Sequence, residues 1–162
     1  GDVAVTAPGA SPSFVAASRR LGADVARLCA TAATARVLLI NNPTVPAGRR
    51  VDMGLAISGA ESRGTTVIAD EVYRELSLHE RITAAADLSP SAVSVGDISK
   101  PLGLGGLRIG WIASRDSALL ERAFAELQLL SAGPSSLSAA VALAALNDMD
   151  RHLTVIREHR GR

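Results

Sequence analysis

The amino-acid sequence predicts an α/β protein, with a mostly parallel sheet and helices on both of its faces. Three observations lead there. Val37 to Ile40 is a continuous aliphatic run, the mark of a strand buried on both faces, and Thr66 to Ala69 and Ala92 to Val95 read as further buried strands. Stretches of helical spacing separate them, and strands alternating with helices favour parallel pairing through crossovers. The apolar fraction is 48% of 162 residues but the aromatic fraction only 2%, so the core must be aliphatic. A chain of this size can bury roughly 70% of its unfolded surface.

Taken in order, Val3 to Thr6 is a short apolar run before the turn region Pro8 to Pro12. Ser11 then reads as an N-cap with Pro12 at the first helical position, and that helix runs through Phe14, Val15 and Arg19 to Gly22. The run Val37 to Ile40 ends at Asn41-Asn42-Pro43. After a Pro/Gly-rich loop, Asp52 to Arg63 reads as a helix stopped by Gly64. Thr66 to Ala69 leads into the acidic pair Asp70-Glu71, and Ala92 to Val95 into Gly96-Asp97-Ile98-Ser99-Lys100. Leu107 to Ala113 reads as a further strand carrying Arg108 and Trp111. Helices follow at Ser117 to Leu130 and at Pro134 to about Asn147, then a polar segment to the end. No internal repeat or low-complexity tract interrupts this order. In open α/β sheets ligands bind beyond the carboxyl ends of the strands, so the polar clusters after the strands are expected on one rim.

The formal net charge is +1 and the basic residues are scattered, which leaves no footprint for nucleic acid. No apolar stretch is long enough to cross a bilayer, and the start, Gly1-Asp2, runs directly into a strand-like segment rather than a signal peptide. The single cysteine, Cys29, excludes an internal disulfide and fits a reducing compartment, so a soluble, cytoplasmic protein is expected. His79, His152 and His159 have no ligand spacing to one another or to Cys29, and no metal site is expected. Asp70-Glu71 could end the acidic strand of a phosphate-loop ATPase, but no matching glycine–lysine loop exists. Gly103-Leu104-Gly105-Gly106 lacks the third glycine of a dinucleotide loop and leads into a strand. A serine hydrolase would need a G-x-S-x-G elbow, which is absent.

What remains is a set built around a lysine. Of 17 Lys and Arg residues, Lys100 is the one lysine. Arginine replaces lysine readily as a surface charge but not as a nucleophilic amine, because its pKa above about 12 keeps it protonated. An amine can form an imine with the aldehyde of pyridoxal phosphate, a carboxylate can keep that ring's nitrogen protonated, a phenol can tune it, and an arginine can fork onto the phosphate. Asp70, Tyr73 (the sole tyrosine) and Arg108 supply those types near strand ends.

Three stretches resemble the fold-type I pyridoxal-phosphate (PLP) enzymes, class I/II aminotransferases in particular. Asn42-Pro43-Thr44-Val45-Pro46-Ala47-Gly48 is similar to that family's N-P-x-N-P-T-G loop. Ala69-Asp70-Glu71-Val72-Tyr73 is similar to its [AS]-D-E-[VI]-Y strand end. Ser99-Lys100-Pro101-Leu102-Gly103-Leu104-Gly105-Gly106-Leu107-Arg108-Ile109-Gly110-Trp111 resembles its S-K-x-x-G-L-x-G-L-R-x-G-W segment. The resemblance implies that Lys100 holds PLP as a Schiff base and shuttles the substrate proton. It implies further that Asp70 faces the pyridine nitrogen, Tyr73 the phenolic oxygen and Arg108 the phosphate, with Ser99 also in the cofactor site. Substrates would be an amino acid and a 2-oxo acid, and the complete protein would be a homodimer.

Two positions depart from the family pattern. Val45 stands where the ring-contacting asparagine is expected and offers no hydrogen bond. Asp97, three before the lysine, stands where the family has Ser or Thr facing the phosphate. A carboxylate there repels a phosphate unless neutralised or turned away, so Asp97 is expected to cap a turn or to pair with an arginine such as Arg108. These changes keep a PLP lyase, decarboxylase or oxidase, or a non-catalytic sensing or interaction domain of the same fold, as alternatives. The resemblance starts inside the family's large domain and stops before its small one. Residues 1–162 are thus expected to form a partial large domain, with about 148–162 as the start of the linking helix.

Overall fold

The computed structural model describes residues 3–6, 24–27, 35–77 and 81–160. The expected helix from Ser11 to Gly22, and with it Cys29 and His79, lies outside the described residues. Six strands, β1 (Val3–Thr6), β2 (Asp24–Arg27), β3 (Val37–Asn41), β4 (Thr66–Asp70), β5 (Ala92–Asp97) and β6 (Gly110–Ser114), form one sheet in the order β2-β1-β3-β4-β5-β6. The pairs β1/β2, β1/β3 and β3/β4 are parallel. β6 runs the other way: Ser114 Oγ donates to Ala92 O at one end, and the Ile98 N–H donates to Ile109 O at the other. A loop, not a crossover helix, joins β5 to β6, and this is what permits the antiparallel return. The sheet is therefore mostly parallel, as expected.

The chain divides into two compact units. The first comprises residues up to Glu71, Thr83–Ser94 and Ala113–Asp116. Its core is Ala35, Leu38, Ile40, Met53, Ile57, Ala60, Val67, Ala69, Ala85 and Ala92, aliphatic throughout save for the thioether. Alanines let the layers approach closely, and each buried Leu, Ile or Val contributes about 1.5–3 kcal/mol over exposure. Helix α1 (Met53–Glu61) lays Met53, Ile57 and Ala60, at helical spacing, into this core. Asp52 Oδ1 accepts from the Leu55 N–H at 2.9 Å and starts it. Gly64, at φ +66°, ends it, with its N–H on Glu61 O and the Thr65 N–H on Ala60 O. Helix α2 (Ala85–Leu88) is tied down by Glu71, whose buried carboxylate accepts from the Ala85 N–H at 2.7 Å.

The second unit holds Val72–Ile82, Val95–Ile112 and Ser117–Arg162. It carries α3 (Ser117–Leu130), α4 (Ser136–Asn147) and α5 (Met149–Arg160). The polar final segment is thus helical. Its Leu153 is buried, and Arg157 Nη2 donates to Glu75 O in a 3-10 turn at Arg74–Leu76. α4 borders the loop that follows β5, with Val141 and Ala145 beside Leu102 and Leu104. Along α4 only Ala142 is buried, while Leu137, Val141, Leu143 and Leu146 are exposed. Among the described residues no helix is long and apolar enough to cross a membrane.

One expected element is corrected here. Leu107 does not begin a strand: Gly105–Leu107 is a 3-10 turn, Arg108 follows it in the left-handed region (φ 56°, ψ 40°), and β6 starts at Gly110. The apolar/polar alternation of Leu107-Arg108-Ile109 imitates a strand, but the glycines before it permit the tighter turn.

Candidate active site

In the first unit the ends of β3 and β4 lie side by side, with Asn41 opposite Asp70. The buried Asn41 amide donates through Nδ2 to Asp70 Oδ2 at 2.6 Å, a short bond to a charged acceptor. One residue on, Asn42 is 1% exposed; its Oδ1 accepts from the Val51 N–H at 3.0 Å, and its Nδ2 has no acceptor among the described residues. The loop beyond is closed by Thr44, whose N–H and carbonyl pair with Arg49 O and the Gly48 N–H, while its hydroxyl accepts from the Arg49 N–H. Gly48 sits at φ +63°, where a side chain would be strained. Val45 is half-buried in this loop. The acidic pair Asp70-Glu71 is split in role: Asp70 stays at the strand end, and Glu71 serves the start of α2.

In the second unit the lysine loop is built on Ile98, which is fully buried. Its carbonyl accepts from the N–H groups of Leu102 and Leu104, which folds residues 98–104 into a compact turn. Asp97, half-buried at the end of β5, organises the first part of that turn. Its Oδ1 accepts from the N–H groups of Ser99 at 3.0 Å and Lys100 at 3.3 Å, and its Oδ2 lies 3.6 Å from Lys100 Nζ. Asp97 therefore caps a turn, as expected, but its ion pair is with Lys100 and not with an arginine. Lys100 Nζ also stands 6.0 Å from the centre of the Tyr73 ring, the outer limit of a cation–π contact. Arg108 Nη1 donates to Gly105 O at 3.2 Å. Among the described residues Arg108 is the sole non-glycine with positive φ, a conformation costing about 1–3 kcal/mol that persists where the surroundings impose it.

A cleft of about 470 Å³ opens in this unit, lined by Asp97, Ser99 and Arg108 on its polar side and by Trp111, Ala123 and Leu127 on its apolar side. Trp111 rests directly on Gly96, which has no side chain to keep the indole away. The second unit thus carries an amine near a phenol, Lys100 and Tyr73, and, lining the cleft, a hydroxyl and a guanidinium, Ser99 and Arg108, groups that suit an aldehyde-bearing phosphate ester. The first unit offers a carboxylate steadied by an amide, which suits a protonated ring nitrogen. The negative charge of Asp97 runs against a phosphate in that donor set. Asn41 was not singled out from the sequence as a partner of Asp70; the place of both at the ends of successive buried runs was the available signal.

The sequence model of the family Aminotransferase class I and II matches residues 3–161. The aspartate aminotransferase of Thermococcus kodakarensis is 41% identical over 81 residues, covering 48% of this chain and 22% of that protein. A Thermus thermophilus aspartate aminotransferase mutant superposes with a TM-score of 0.84 at 18% identity, over 98% of this chain and 50% of the other. The PLP-bound C–S lyase of Staphylococcus hominis does so with a TM-score of 0.83 at 15% identity, over 98% and 46%. At such identities the two structures speak for the fold. The chain spans about half the length of the solved structures, and its matched segments cover about a quarter of the length of the curated relatives. With the match running nearly end to end, this chain belongs to the class I and II aminotransferases, whose cofactor is pyridoxal 5'-phosphate.

Proposed function

We propose that this chain forms part of a PLP-dependent aminotransferase that moves an amino group between an amino acid and a 2-oxo acid, with Lys100 as the amine that holds the cofactor. The observation that carries the reading is the setting of the one lysine: a turn after β5, beside Tyr73 and in the same loop as Arg108. When bound, pyridoxal phosphate supplies an aldehyde that condenses with amines and a ring that withdraws electrons from the substrate's Cα. Lys100 Nζ would hold the cofactor and would serve as the group that moves a proton at the substrate's Cα. Arg108 and Ser99 would bind the phosphate, the guanidinium through charge-assisted hydrogen bonds. Tyr73 donates to the phenolic oxygen. Asp70, held by Asn41, keeps a proton on the ring nitrogen.

Val45 and Asp97 favour a second reading, a lyase, decarboxylase or oxidase on the same scaffold, because they change the contacts to ring and phosphate. The exposed apolar residues of α4 support burial against further protein, and we place the complete protein in the cytoplasm as a homodimer. Residues 1–162 are part of its large domain, and about 148–162, which includes α5, lead toward a small domain.

Borohydride reduction with PLP, followed by peptide mass mapping, tests the site: the peptide containing Lys100 gains the reduced cofactor. An unlabelled Lys100 at saturating cofactor sinks the reading. Incubation of the full-length protein with amino acids and 2-oxo acids separates the chemistries, since transfer of nitrogen to the oxo acid marks the aminotransferase. Release of carbon dioxide or ammonia marks the second reading.

A further inference from the structure

We infer that Asp97 is the positioning residue of Lys100 and that its carboxylate sets how tightly the site takes an anionic cofactor. The inference rests on the reading above, in which Lys100 and Arg108 hold pyridoxal phosphate.

The two oxygens of Asp97 have different tasks. Oδ1 accepts from the N–H groups of Ser99 and Lys100, which fixes the turn and, with it, the orientation of the carboxylate. Oδ2 is left 3.6 Å from Lys100 Nζ. Turning the second oxygen away would break the two bonds made by the first, so the charge is locked beside the amine. A serine at this place could cap the turn through its hydroxyl, but it would bring no second oxygen and no charge. Lys100 is 40% exposed on its side chain, and a long chain so placed samples many rotamers unless something holds its end. Asp97 supplies that hold.

The same charge opposes loading. Asp97 lines the cleft that Arg108 and Ser99 line, so an entering phosphate meets a guanidinium and a carboxylate together. This repulsion vanishes with the charge and does not depend on the turn.

Asp97→Asn separates charge from turn, because the amide keeps an oxygen for the two N–H groups. The full chain, as wild type and variants, is titrated with pyridoxal phosphate, and labelling of Lys100 is read by borohydride reduction and mass mapping. Inorganic phosphate serves as competitor, and pyridoxal, which has no phosphate, as a probe of the amine alone. Removing one like charge from the lining of a partly exposed cleft predicts about tenfold tighter capture of pyridoxal phosphate by Asp97→Asn. Inorganic phosphate becomes a better competitor, pyridoxal gains less than pyridoxal phosphate, and Asp97→Glu, which restores the charge, stays near wild type. Should Asp97→Asn fail to fold by circular dichroism, Asp97→Ser caps the turn without charge and is expected to show the same gain. Unchanged or weaker capture in the charge-free variant, with Lys100 labelled in both proteins, overturns the inference alone. Absence of label on Lys100 in every protein overturns the reading beneath it as well.

Discussion

Gly96 offers the sharpest test of how the strand ends shape the cleft. A Cβ placed on Gly96 would lie 2.7 Å from Cε2 and Cζ2 of Trp111 and 2.8 Å from Nε1. Ordinary carbon contacts lie at about 3.5–4.0 Å, so Gly96→Ala asks three atoms of a rigid ring to retreat by roughly an ångström. The ring cannot bend, and the whole indole must swing. Trp111 is 39% exposed, which gives it somewhere to go and keeps the cost toward the lower part of the 1–3 kcal/mol typical of overpacking, about 1–2 kcal/mol. For a domain of this size that is a fall in Tm of roughly 2–8 °C. Circular dichroism on heating measures it. Trp111 is the one tryptophan of the chain, so its emission should shift to longer wavelength as the ring moves into water. The cause is checked in a Trp111→Ala background, where the penalty for Gly96→Ala should disappear. A Gly96→Ala protein with wild-type Tm and emission, or a penalty that survives loss of the indole, refutes the steric argument. Since Trp111 and Asp97 line one cleft, the displaced ring should also weaken cofactor capture.

Two further outcomes follow from the first unit. Asn41→Ala removes the donor 2.6 Å from Asp70 Oδ2, a bond to a charged group worth about 1.5–3 kcal/mol, which denaturant unfolding should detect. Asn41→Asp, by placing a second carboxylate there, should be worse at neutral pH and recover on acidification; equal stability of all three proteins would remove Asn41 as the support of Asp70. Glu61 accepts from the hydroxyls of Ser89 and Ser91, which hold its carboxyl below the ordinary value of 4.5. A depressed folded pKa means the contribution is full above about 4.5 and is lost as pH falls through the lowered value. Unfolding midpoints from pH 7 to 3 should therefore decline less steeply for Glu61→Gln, and an identical acid slope would count against the Ser89–Glu61–Ser91 cluster.

Local chemistry was legible from residues alone. Val37 to Ile40 announced a buried strand by its unbroken aliphatic character, and Thr66 to Ala69 by a run that is aliphatic after its threonine. Asp52 and Gly64 announced the ends of α1, because capping and a left-handed stop act within one turn. β2 went unread, since Asp24–Arg27 has only two apolar residues between charges and owes its strand to pairing with β1. The stretch of α5 is polar in composition and reads as the start of a helix only through the resemblance; in the fold its Leu153 is buried. Lys100, Asp70 and Arg108 stand out by residue type, and their proposed roles rest on the resemblance.

The sequence by itself thus determined the kinds of groups present, their order and the local turns that carry them. Only the tertiary structure decided partners. Glu71 could have joined Asp70 at the strand end, but the backbone brings the Ala85 N–H to it. Asn41 meets Asp70 because parallel register sets their strands' ends side by side. Asp97 faces Lys100 rather than Arg108 because two main-chain N–H groups orient its carboxylate, while a left-handed turn sends Arg108 back to Gly105. Composition sets what a side chain can do, but a contact a few ångströms long depends on where distant backbone segments come to rest, and no local pattern encodes that distance.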